Sequence, residues 1–258
     1  MNVRLFQVYF DKSHYEYLDS AFIPYNNLIN PEPNKREYPT WSEMRRAHKN
    51  FTGYWGIMSW QFSKKTNLKG QEYLDWILKN PGYDIYHINP YPEVTAFYDN
   101  VWAQGERWHP GILKYINKLL VLLGYNFKMD NFPFIPDQFS TSNYYVGNYK
   151  FWDSWMNFLD YCLDISNKDE ELFNYLYKDG NNYNGKWVPY FPFVTERLFT
   201  LHNILKDASF KILKFPYEHE CYKKSFGAQY DFIMKTIDMK NKSKDSIISY
   251  QNNFIKNI

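Results

Sequence analysis

Short β-prone segments alternate with segments of helical period along most of this chain, and their order limits the fold to few classes. The β-prone segments are rich in Val, Ile, Tyr and Phe and end at polar or Pro/Gly-containing stretches; they lie at residues 4–10, 53–62, 83–88 and 140–148. Strands that alternate with helices usually form a sheet whose faces the helices cover. The sequence therefore predicts an α/β fold with a mixed central sheet and helices on both faces.

Several intervening segments carry signals for the ends of helices. Thr40 and Glu43 have the spacing of a capping box, which predicts a helix from Thr40 after a proline-rich loop. Pro110 and Gly124 bound another predicted helix. Further helices are predicted from apolar spacing, and they lie at about 68–79 after a basic loop, at 149–165 and at 189–207. The Lys/Asn-rich segment 239–258 is predicted to be a surface helix or a tail.

Charge and cysteine content disfavour several classes of protein. The 30 Lys and Arg residues nearly balance the 28 Asp and Glu residues, so the net charge gives no reason to expect a nucleic-acid partner. Two cysteines are too few for a disulfide scaffold and fit a reducing compartment. No apolar run approaches the roughly 20 residues of a membrane-spanning helix, and no signal peptide is recognisable. We expect a soluble, cytoplasmic protein without a transmembrane segment.

Aromatic residues make up 21% of the chain, with 25 Tyr, 21 Phe and 9 Trp. Tyr and Trp combine a flat apolar face with a polar edge, which suits the stacking of a sugar or a base. An aromatic core together with codon bias explains the same composition, so both interpretations stay open.

Motifs of the commonest nucleotide and hydrolase sites are absent from the sequence. It contains neither of the glycine-rich phosphate loops GxGxxG and GxxxxGK[ST], which disfavours a dinucleotide oxidoreductase or a P-loop NTPase. It also lacks GxSxG, HExxH and paired CxxC motifs.

Polar clusters follow three of the predicted strands, at 11–14, 59–65 and 87–89. In open α/β sheets, ligands bind beyond the carboxyl ends of the strands. The candidate ligand-binding residues from these clusters and the strand at 83–88 are Asp11, Ser59, Lys64, Lys65, Asp84, His87 and Asn89. The two lysines could bind phosphate or form a solvated basic turn, and the other polar side chains could bind a ribose, a sugar hydroxyl or a metal. His87 could equally be a structural residue that only forms hydrogen bonds.

The segment GERWHPG places Glu106, Arg107, Trp108 and His109 directly before a predicted helix. The N-terminus of a helix attracts anions, so this segment could hold a phosphate or an acidic sugar. Alternatively, His109 caps the helix.

Five segments in order, YWGIMSWQFSKKTNLKG, YDIYHINPYP, NVWAQGERWHPGI, STSNYYVGNYKFWDSW and FPFVTERLFTLHN, resemble glycosyltransferases of the GT-A type encoded in bacterial capsule and O-antigen clusters. The resemblance covers roughly residues 1–205, and it implies that the candidate ligand-binding residues named above bind the donor. It implies a single GT-A-like, Rossmann-like domain over 1–238, with a nucleotide-sugar half at about 1–125 and an acceptor half at about 126–238. The implied activity is transfer of a sugar from a nucleotide-sugar donor to a glycan or lipid-linked acceptor in capsule or lipopolysaccharide synthesis, with peripheral membrane contact allowed.

In this family an Asp-x-Asp motif usually holds a divalent metal at the donor diphosphate, whereas this sequence has His87-Ile88-Asn89 at that place. Two neutral ligands hold Mg²⁺ poorly, although a histidine suits Mn²⁺. A reaction without a metal, in which Lys64, Lys65 or Arg107 offsets the charge of the leaving group, therefore stands beside one that uses Mn²⁺ or Mg²⁺.

The same resemblance implies roles for residues of the second half. Ser142 and Asn143 would frame the acceptor together with Arg107, and Glu196 would be the general base, with Asp137 as the second candidate. Glu196 could instead stabilise the first turn of a helix and pair with a neighbour such as Arg197, and Asp137 could be a turn residue. Trp108 and His109 complete the predicted acceptor-binding residues. The alternative function is a non-catalytic carbohydrate- or nucleotide-binding assembly protein derived from a transferase fold.

Overall fold

The computed structural model describes residues 1–183, 185–206 and 209–255. The last residue of the helix predicted at 189–207 and the last three residues of the segment predicted at 239–258 lie outside these ranges.

Six of the eight strands in the described residues form one mixed sheet, in the order β2-β1-β3-β5-β4-β8. Strand β5 runs antiparallel to β3 and β4, whereas β1 is parallel to β2 and β3, and β4 is parallel to β8. The other two strands pair as an antiparallel hairpin. The strands are β1 (Val3–Tyr9), β2 (Ile23–Asn26), β3 (Tyr54–Ser59), β4 (Ile85–His87), β5 (Tyr145–Asn148), β6 (Gly180–Tyr183), β7 (Lys186–Pro189) and β8 (Ile212–Lys214). The prediction of an α/β protein with a mixed central sheet is confirmed.

Twelve α-helices are present in the described residues. They are α1 (Tyr38–Ala47), α2 (Phe62–Thr66), α3 (Gly70–Lys79), α4 (Pro92–Phe97), α5 (Val101–Trp108), α6 (Ile112–Leu122), α7 (Tyr149–Lys168), α8 (Glu170–Tyr177), α9 (Phe191–Lys206), α10 (Glu220–Phe226), α11 (Tyr230–Lys242) and α12 (Lys244–Ile255). None of them combines the length and the apolar character that a membrane crossing requires.

The start of α1 differs from the prediction. The helix begins at Tyr38, so Thr40 lies buried in its first turn and the capping box predicted from Thr40 is wrong. Proline is favoured in the first turn of a helix because its missing N–H is not needed there, and Pro39 occupies that position. The basic segment after β3, predicted as a loop, forms the short helix α2.

The helices predicted around Pro110 and at 149–165 are confirmed as α6 and α7. Gly111 precedes α6 and Gly124 follows it, and both have a φ of 90°, which glycine adopts without steric strain. The apolar positions of α7 that define its helical period include Phe151, Trp155 and Leu159, all fully buried.

The chain divides into two compact units, and neither unit is one continuous segment. Unit 1 comprises Met1–Pro90, Ser142–Met156 and Lys206–Asp231 and holds the whole six-stranded sheet. Unit 2 comprises Tyr91–Thr141, Asn157–Leu205 and Phe232–Ile258 and holds the hairpin β6–β7. The boundary near residue 125 expected from the resemblance falls inside the first segment of unit 2, and the described part of the C-terminal segment is helical.

Much of the aromatic content is used in cores. Five of the nine tryptophans are less than 2% exposed, so the core interpretation accounts for most of that residue type. In unit 1, the indoles of Trp55 and Trp152 stack at 3.9 Å, and the Trp152 Nε1 donates a hydrogen bond to the Trp55 carbonyl. Gly56 lies beside them on β3, where a Cβ would come within 2.6 Å of the Tyr145 carbonyl oxygen. The close approach of β5 to β3 therefore requires glycine at this position.

Candidate functional site

One edge of the sheet in unit 1 collects polar side chains from several strands. The parallel strands β1, β3, β4 and β8 all end there, and the antiparallel strand β5 begins there. We call this the carboxyl edge. It is the edge at which open α/β sheets bind ligands.

At the end of β1, Asp11 and His14 adopt different roles. The Asp11 carboxylate accepts hydrogen bonds from the Ser13 amide at 2.9 Å and from the Ser13 hydroxyl at 2.7 Å, which caps a short 3-10 helix. His14 is only 7% exposed and stacks on Trp60 at 3.8 Å. Its Nδ1 has no hydrogen-bond partner among the described residues, and burial lowers the pKa of the imidazole despite the nearby Asp11. A neutral ring with a buried nitrogen in need of a partner thus lies at the carboxyl edge.

At the end of β3, the Ser59 hydroxyl shares a 2.7 Å hydrogen bond with the Tyr144 hydroxyl and accepts one from the Gln61 amide at 3.3 Å. Lys64 and Lys65 follow on α2, where Lys64 is exposed and Lys65 half-buried. The two lysines therefore lie one helical turn beyond the strand end rather than directly after it.

At the end of β4, His87 and Asn89 are held by the segment that follows β8. His87 is 2% exposed, and its carbonyl accepts a hydrogen bond from the Phe215 amide at 2.8 Å. Asn89 is fully buried; its Nδ2 donates to the Tyr217 hydroxyl at 2.8 Å, and its carbonyl accepts from the Tyr222 hydroxyl at 2.7 Å. Both residues are thus hydrogen-bonded at the carboxyl edge to residues that follow β8.

Asp84 does not join His87 and Asn89. It precedes β4 at the opposite end of the strand, where its carboxylate accepts hydrogen bonds from Asn148 Nδ2 at 2.7 Å and from the Lys211 amide at 2.9 Å. The strand direction thus separates it from the donor-binding residues with which it was grouped, and its bonds tie β4 to its neighbours.

The residues around His87 and Asn89 do not fit a hard divalent cation. No three His, Cys, Asp or Glu side chains in the described residues converge where they could share a metal ion. Mg²⁺ prefers carboxylate oxygens as protein ligands.

Lys214 is a cation of the carboxyl edge that the sequence analysis missed. It ends β8, in register with His87 of β4, and its Nζ lies 3.7 Å from the centre of the Tyr217 ring. The same Tyr217 accepts the hydrogen bond from Asn89. A short strand that lies far along the chain gave no local signal that could have placed this lysine beside His87.

Ser142 and Asn143 precede β5 and therefore also lie at the carboxyl edge. Ser142 is 5% exposed, and the buried Oδ1 of Asn143 has no hydrogen-bond partner among the described residues. The resemblance predicted both residues at an acceptor site. They belong to unit 1, as do the predicted donor-binding residues.

In unit 2, the predicted anion site before α6 is filled by the protein itself. Glu106 lies on α5, and its carboxylate accepts hydrogen bonds from the amides of Gly111 at 2.8 Å and Leu113 at 2.9 Å. The positive end of α6 is thus neutralised by a side chain, which disfavours an external phosphate there. Neither His109 nor a ligand is needed as the cap.

The other residues of that segment face different surroundings. Trp108 is 56% exposed, and the Arg107 guanidinium lies 5.6 Å from the centre of its ring. His109 is 5% exposed and stacks on Phe193 at 3.9 Å. Burial, with a smaller contribution from the charge of Arg197, lowers the pKa of His109 to about 3. Trp108 and Arg107 can meet a ligand, whereas His109 is a neutral core residue.

Glu196 lies on α9 and is half-buried. Burial and then the charges of Glu196 and Glu93 raise the pKa of the Tyr91 hydroxyl, so both carboxylates lie near Tyr91. The guanidinium of the adjacent Arg197 donates to the carbonyls of Val101 and Phe193, both at 2.9 Å, as well as to the Gln104 side chain. Arg197 thereby ties α9 to α5.

Glu93, in the first turn of α4, is a titratable residue that the sequence analysis missed. Its Oε2 is buried without a hydrogen-bond partner among the described residues, and burial raises the pKa of the carboxyl to about 7. Carboxylic acids with such a pKa are common at sites of proton transfer. The sequence offered only a glutamate after a proline, which is an ordinary start of a helix.

Asp137, the second candidate base, forms an ion pair with Lys244 of α12 at 2.9 Å, and its side chain is 51% exposed. Asp137 is therefore more exposed than Glu93, whose Oε2 is buried, and its ion pair favours a surface role.

Compared with known proteins, the chain matches no family model, no curated protein and no solved structure.

Proposed function

We propose that this protein is a glycosyltransferase with a GT-A-like fold, which moves a sugar from a nucleotide-sugar donor to a glycan or lipid-linked acceptor in the synthesis of a surface polysaccharide. The observation that carries the proposal is the gathering of polar side chains from four strands at the carboxyl edge. His14, Ser59, His87 and Lys214 come from distant parts of the sequence and share this edge of the sheet. A cytoplasmic location and peripheral contact with a membrane belong to the same proposal.

In this proposal the donor binds at the carboxyl edge. The stacked pair of His14 and Trp60 offers a flat aromatic surface for a base. The ammonium of Lys214 offsets the negative charge that develops on the departing nucleoside diphosphate. Lys64 and Lys65 on α2 can add positive charge near the diphosphate.

In this proposal Glu196 is the general base. Glu196 takes the proton of the acceptor hydroxyl while the hydroxyl oxygen forms a bond to the anomeric carbon of the donor sugar. The bond from that carbon to the diphosphate oxygen breaks, and the electron pair leaves with the nucleoside diphosphate. Glu93 is half-buried near Tyr91, and when its carboxyl is protonated it adds no negative charge to that of Glu196. Arg107 and the exposed indole of Trp108 are suited to contact the acceptor.

The second candidate is a non-catalytic protein that binds a nucleotide or a carbohydrate. The observation that favours it is the sequence His87-Ile88-Asn89, where the described residues form no carboxylate-rich cation site. The side chain of Asn89 is engaged in the internal hydrogen bond to Tyr217.

A thermal-shift screen tests the proposal. The protein is heated with UDP, GDP, CMP or dTDP and with their sugars, each in Mn²⁺ and in EDTA, because a ligand that binds the folded state raises the unfolding midpoint. We expect one nucleotide family to raise the midpoint and the shift to persist in EDTA. Hydrolysis of the matching donor then separates the two candidates, since a binding protein leaves the donor intact. No shift with any nucleotide contradicts the transferase proposal.

A further inference from the structure

Gln7 is a polar side chain on the buried face of β1. Successive side chains of a strand point to opposite faces, so Gln7 shares its face with Leu5 and Tyr9, which are both buried apolar residues. Gln7 itself is 0% exposed. Because a buried amide without hydrogen bonds costs free energy of folding, the partners of Gln7 indicate why a polar residue occupies this position.

Both ends of the Gln7 amide have hydrogen-bond partners. Its Oε1 accepts a hydrogen bond from the Asp19 amide at 2.7 Å. Its Nε2 donates to the Tyr17 carbonyl at 3.3 Å and to the carbonyls of Ser59 and Trp60, both at 3.4 Å. The two hydrogens of the amide are shared among these three acceptors. The side chain thus bridges the segment that follows β1 and the segment that follows β3.

The two bridged segments carry the rings of the stacked pair. His14 lies in the 3-10 helix Lys12–Tyr17, and its ring stacks on that of Trp60 at 3.8 Å, with the two planes 12° from parallel. The ring of Tyr17 lies 5.3 Å from that of Trp60. The hydrogen bonds of Gln7 therefore hold the backbone on both sides of the stack.

Asp19 gives the segment after β1 a second anchor. Its carboxylate accepts hydrogen bonds from the amides of Ala21 at 2.9 Å and of Gly70 at 2.7 Å, the first residue of α3. This anchor joins the segment to α3, whereas Gln7 joins it to the backbone of Trp60 itself. Gln7 is thus placed to set the distance between the two stacked rings.

We propose that Gln7 is a positioning residue of the nucleotide site, which holds His14 and Trp60 in the stacked arrangement on which the base of the nucleotide lies. Gln7 is buried and does not touch the ligand, so it acts only through the two rings. This inference rests on the proposed function, which places a base on the stacked pair, and it holds equally for the candidate that binds a nucleotide without catalysis.

NMR of the full chain without ligand tests whether Gln7 maintains the stack. In protein with ¹³C-labelled histidines, the ring protons of His14 are shifted by the ring current of the Trp60 indole, and His14→Asn identifies their signals. Gln7→Met keeps the length of the side chain but removes the amide that donates and accepts. We expect it to move the His14 signals at least about halfway to those of an unstacked histidine.

Two further variants complete this experiment. Tyr86→Phe is the matched control, because it removes the buried 2.7 Å hydrogen bond from the Tyr86 hydroxyl to the Asn80 carbonyl in the same unit and leaves β1 and β3 intact. It should leave the His14 signals in place. Gln7→Asn keeps an amide that is one methylene too short to reach both segments, and its effect should lie between those of wild type and Gln7→Met. Circular dichroism identifies the folded variants, and Gln7→Asn replaces Gln7→Met where the latter does not fold.

Calorimetric titration tests the consequence for the ligand. The probes are UDP, GDP, CMP, dTDP and inorganic pyrophosphate, which has no base. The nucleotide that binds the wild type should bind Gln7→Met at least about fivefold more weakly, as expected when a base loses its aromatic stacking partner. Pyrophosphate should bind both proteins equally, and Tyr86→Phe should bind every probe as the wild type does.

Unchanged His14 signals in folded Gln7→Met overturn the proposal, and so does an equal change in Tyr86→Phe. Equal losses of affinity for the nucleotide and for pyrophosphate also overturn it, because the variant would then disturb the whole edge. A nucleotide that binds wild type and Gln7→Met equally overturns the role of Gln7 alone. If no nucleotide binds the wild type, the proposed function itself fails, and this outcome is distinguishable from the others before any variant is compared.

Discussion

The carboxylate of Glu106 accepts a hydrogen bond from the backbone amide of Gly111 at 2.8 Å, across the turn that joins α5 to α6. Its second oxygen accepts from the Leu113 amide at 2.9 Å. One side chain thus satisfies two of the unpaired amides at the start of α6 and places a negative charge at the positive end of the helix.

Replacement of Glu106 by alanine should lower the free energy of unfolding by about 1–2 kcal/mol, because both amides lose their acceptor. Urea denaturation measures this loss. Glu106→Gln keeps one acceptor oxygen without the charge and should lose less than the alanine variant. Asp238→Ala, at an exposed position of α11, is the control and should stay within about 0.5 kcal/mol of the wild type. Equal effects at positions 106 and 238 would contradict the capping role.

Glu93→Gln should stabilise the protein increasingly as the pH rises. The pKa of Glu93 is about 7 in the folded state and lies at its ordinary, lower value in the unfolded chain. Above pH 4.5 the unfolded carboxyl loses its proton first, so wild-type stability falls as the pH rises to about 7. The variant avoids this loss and should gain up to roughly 3 kcal/mol over the wild type at pH 8, but little at pH 4.

Urea titrations at several pH values between 4 and 8 measure that difference. Glu218→Gln, which changes an exposed carboxylate, should run parallel to the wild type over the whole range. A Glu93→Gln curve that also runs parallel to the wild type would show that the folded pKa is not raised.

Glu196→Gln should abolish turnover with the donor identified by the thermal-shift screen, while donor affinity stays within a few-fold. The amide cannot accept the proton of the acceptor hydroxyl. Asp137→Asn removes an ion pair with Lys244 at the surface. Because such exposed pairs contribute little to stability, the variant should stay folded and keep its turnover within about twofold of the wild type. Steady-state rates and donor titrations of the two variants separate the candidates, and the reverse pattern would make Asp137 the base.

Lys214→Gln should weaken binding of the nucleoside diphosphate about tenfold, because a cation at the carboxyl edge is lost from a charge-assisted contact. Lys49→Gln is the matched control: it removes an exposed lysine of unit 1 that precedes β3 rather than following it, and it should change the affinity less than twofold. Calorimetric titration at constant ionic strength measures both variants and Lys64→Gln. A larger effect at Lys64 than at Lys214 would place the diphosphate near α2 instead.

The sequence predicted the α/β class and several elements because their signals are local. The apolar period of residues 149–165 and the positions of Pro110 and Gly124 identify α7 and α6 from neighbours within a few turns. The capping box predicted at Thr40 is wrong because Pro39, one residue earlier, is an equally local and stronger signal for the start of the helix.

Only the tertiary structure decided which polar residues share the carboxyl edge. The antiparallel insertion of β5 between β3 and β4 brings Ser142 and Asn143 to the edge, and the pairing of β8 with β4 brings Lys214 beside His87. Asp84, three residues before His87, lies at the other end of the strand. Strand pairing joins residues that are far apart in the chain, and neither the period of a segment nor its composition encodes the partner or the direction.

The sequence by itself thus determined the α/β class, the strands β1, β3, β4 and β5, several helices and the presence of polar groups at strand ends, since hydrophobic period and turn residues act over a few positions. The fold decided that Glu106 occupies the N-terminus of α6, that the Oε2 atom of Glu93 is buried without a hydrogen-bond partner among the described residues, and that a cavity opens beside Tyr175. Each of these depends on burial and on hydrogen bonds made after the chain packs, and the free energy of a charged group changes most when packing removes it from water.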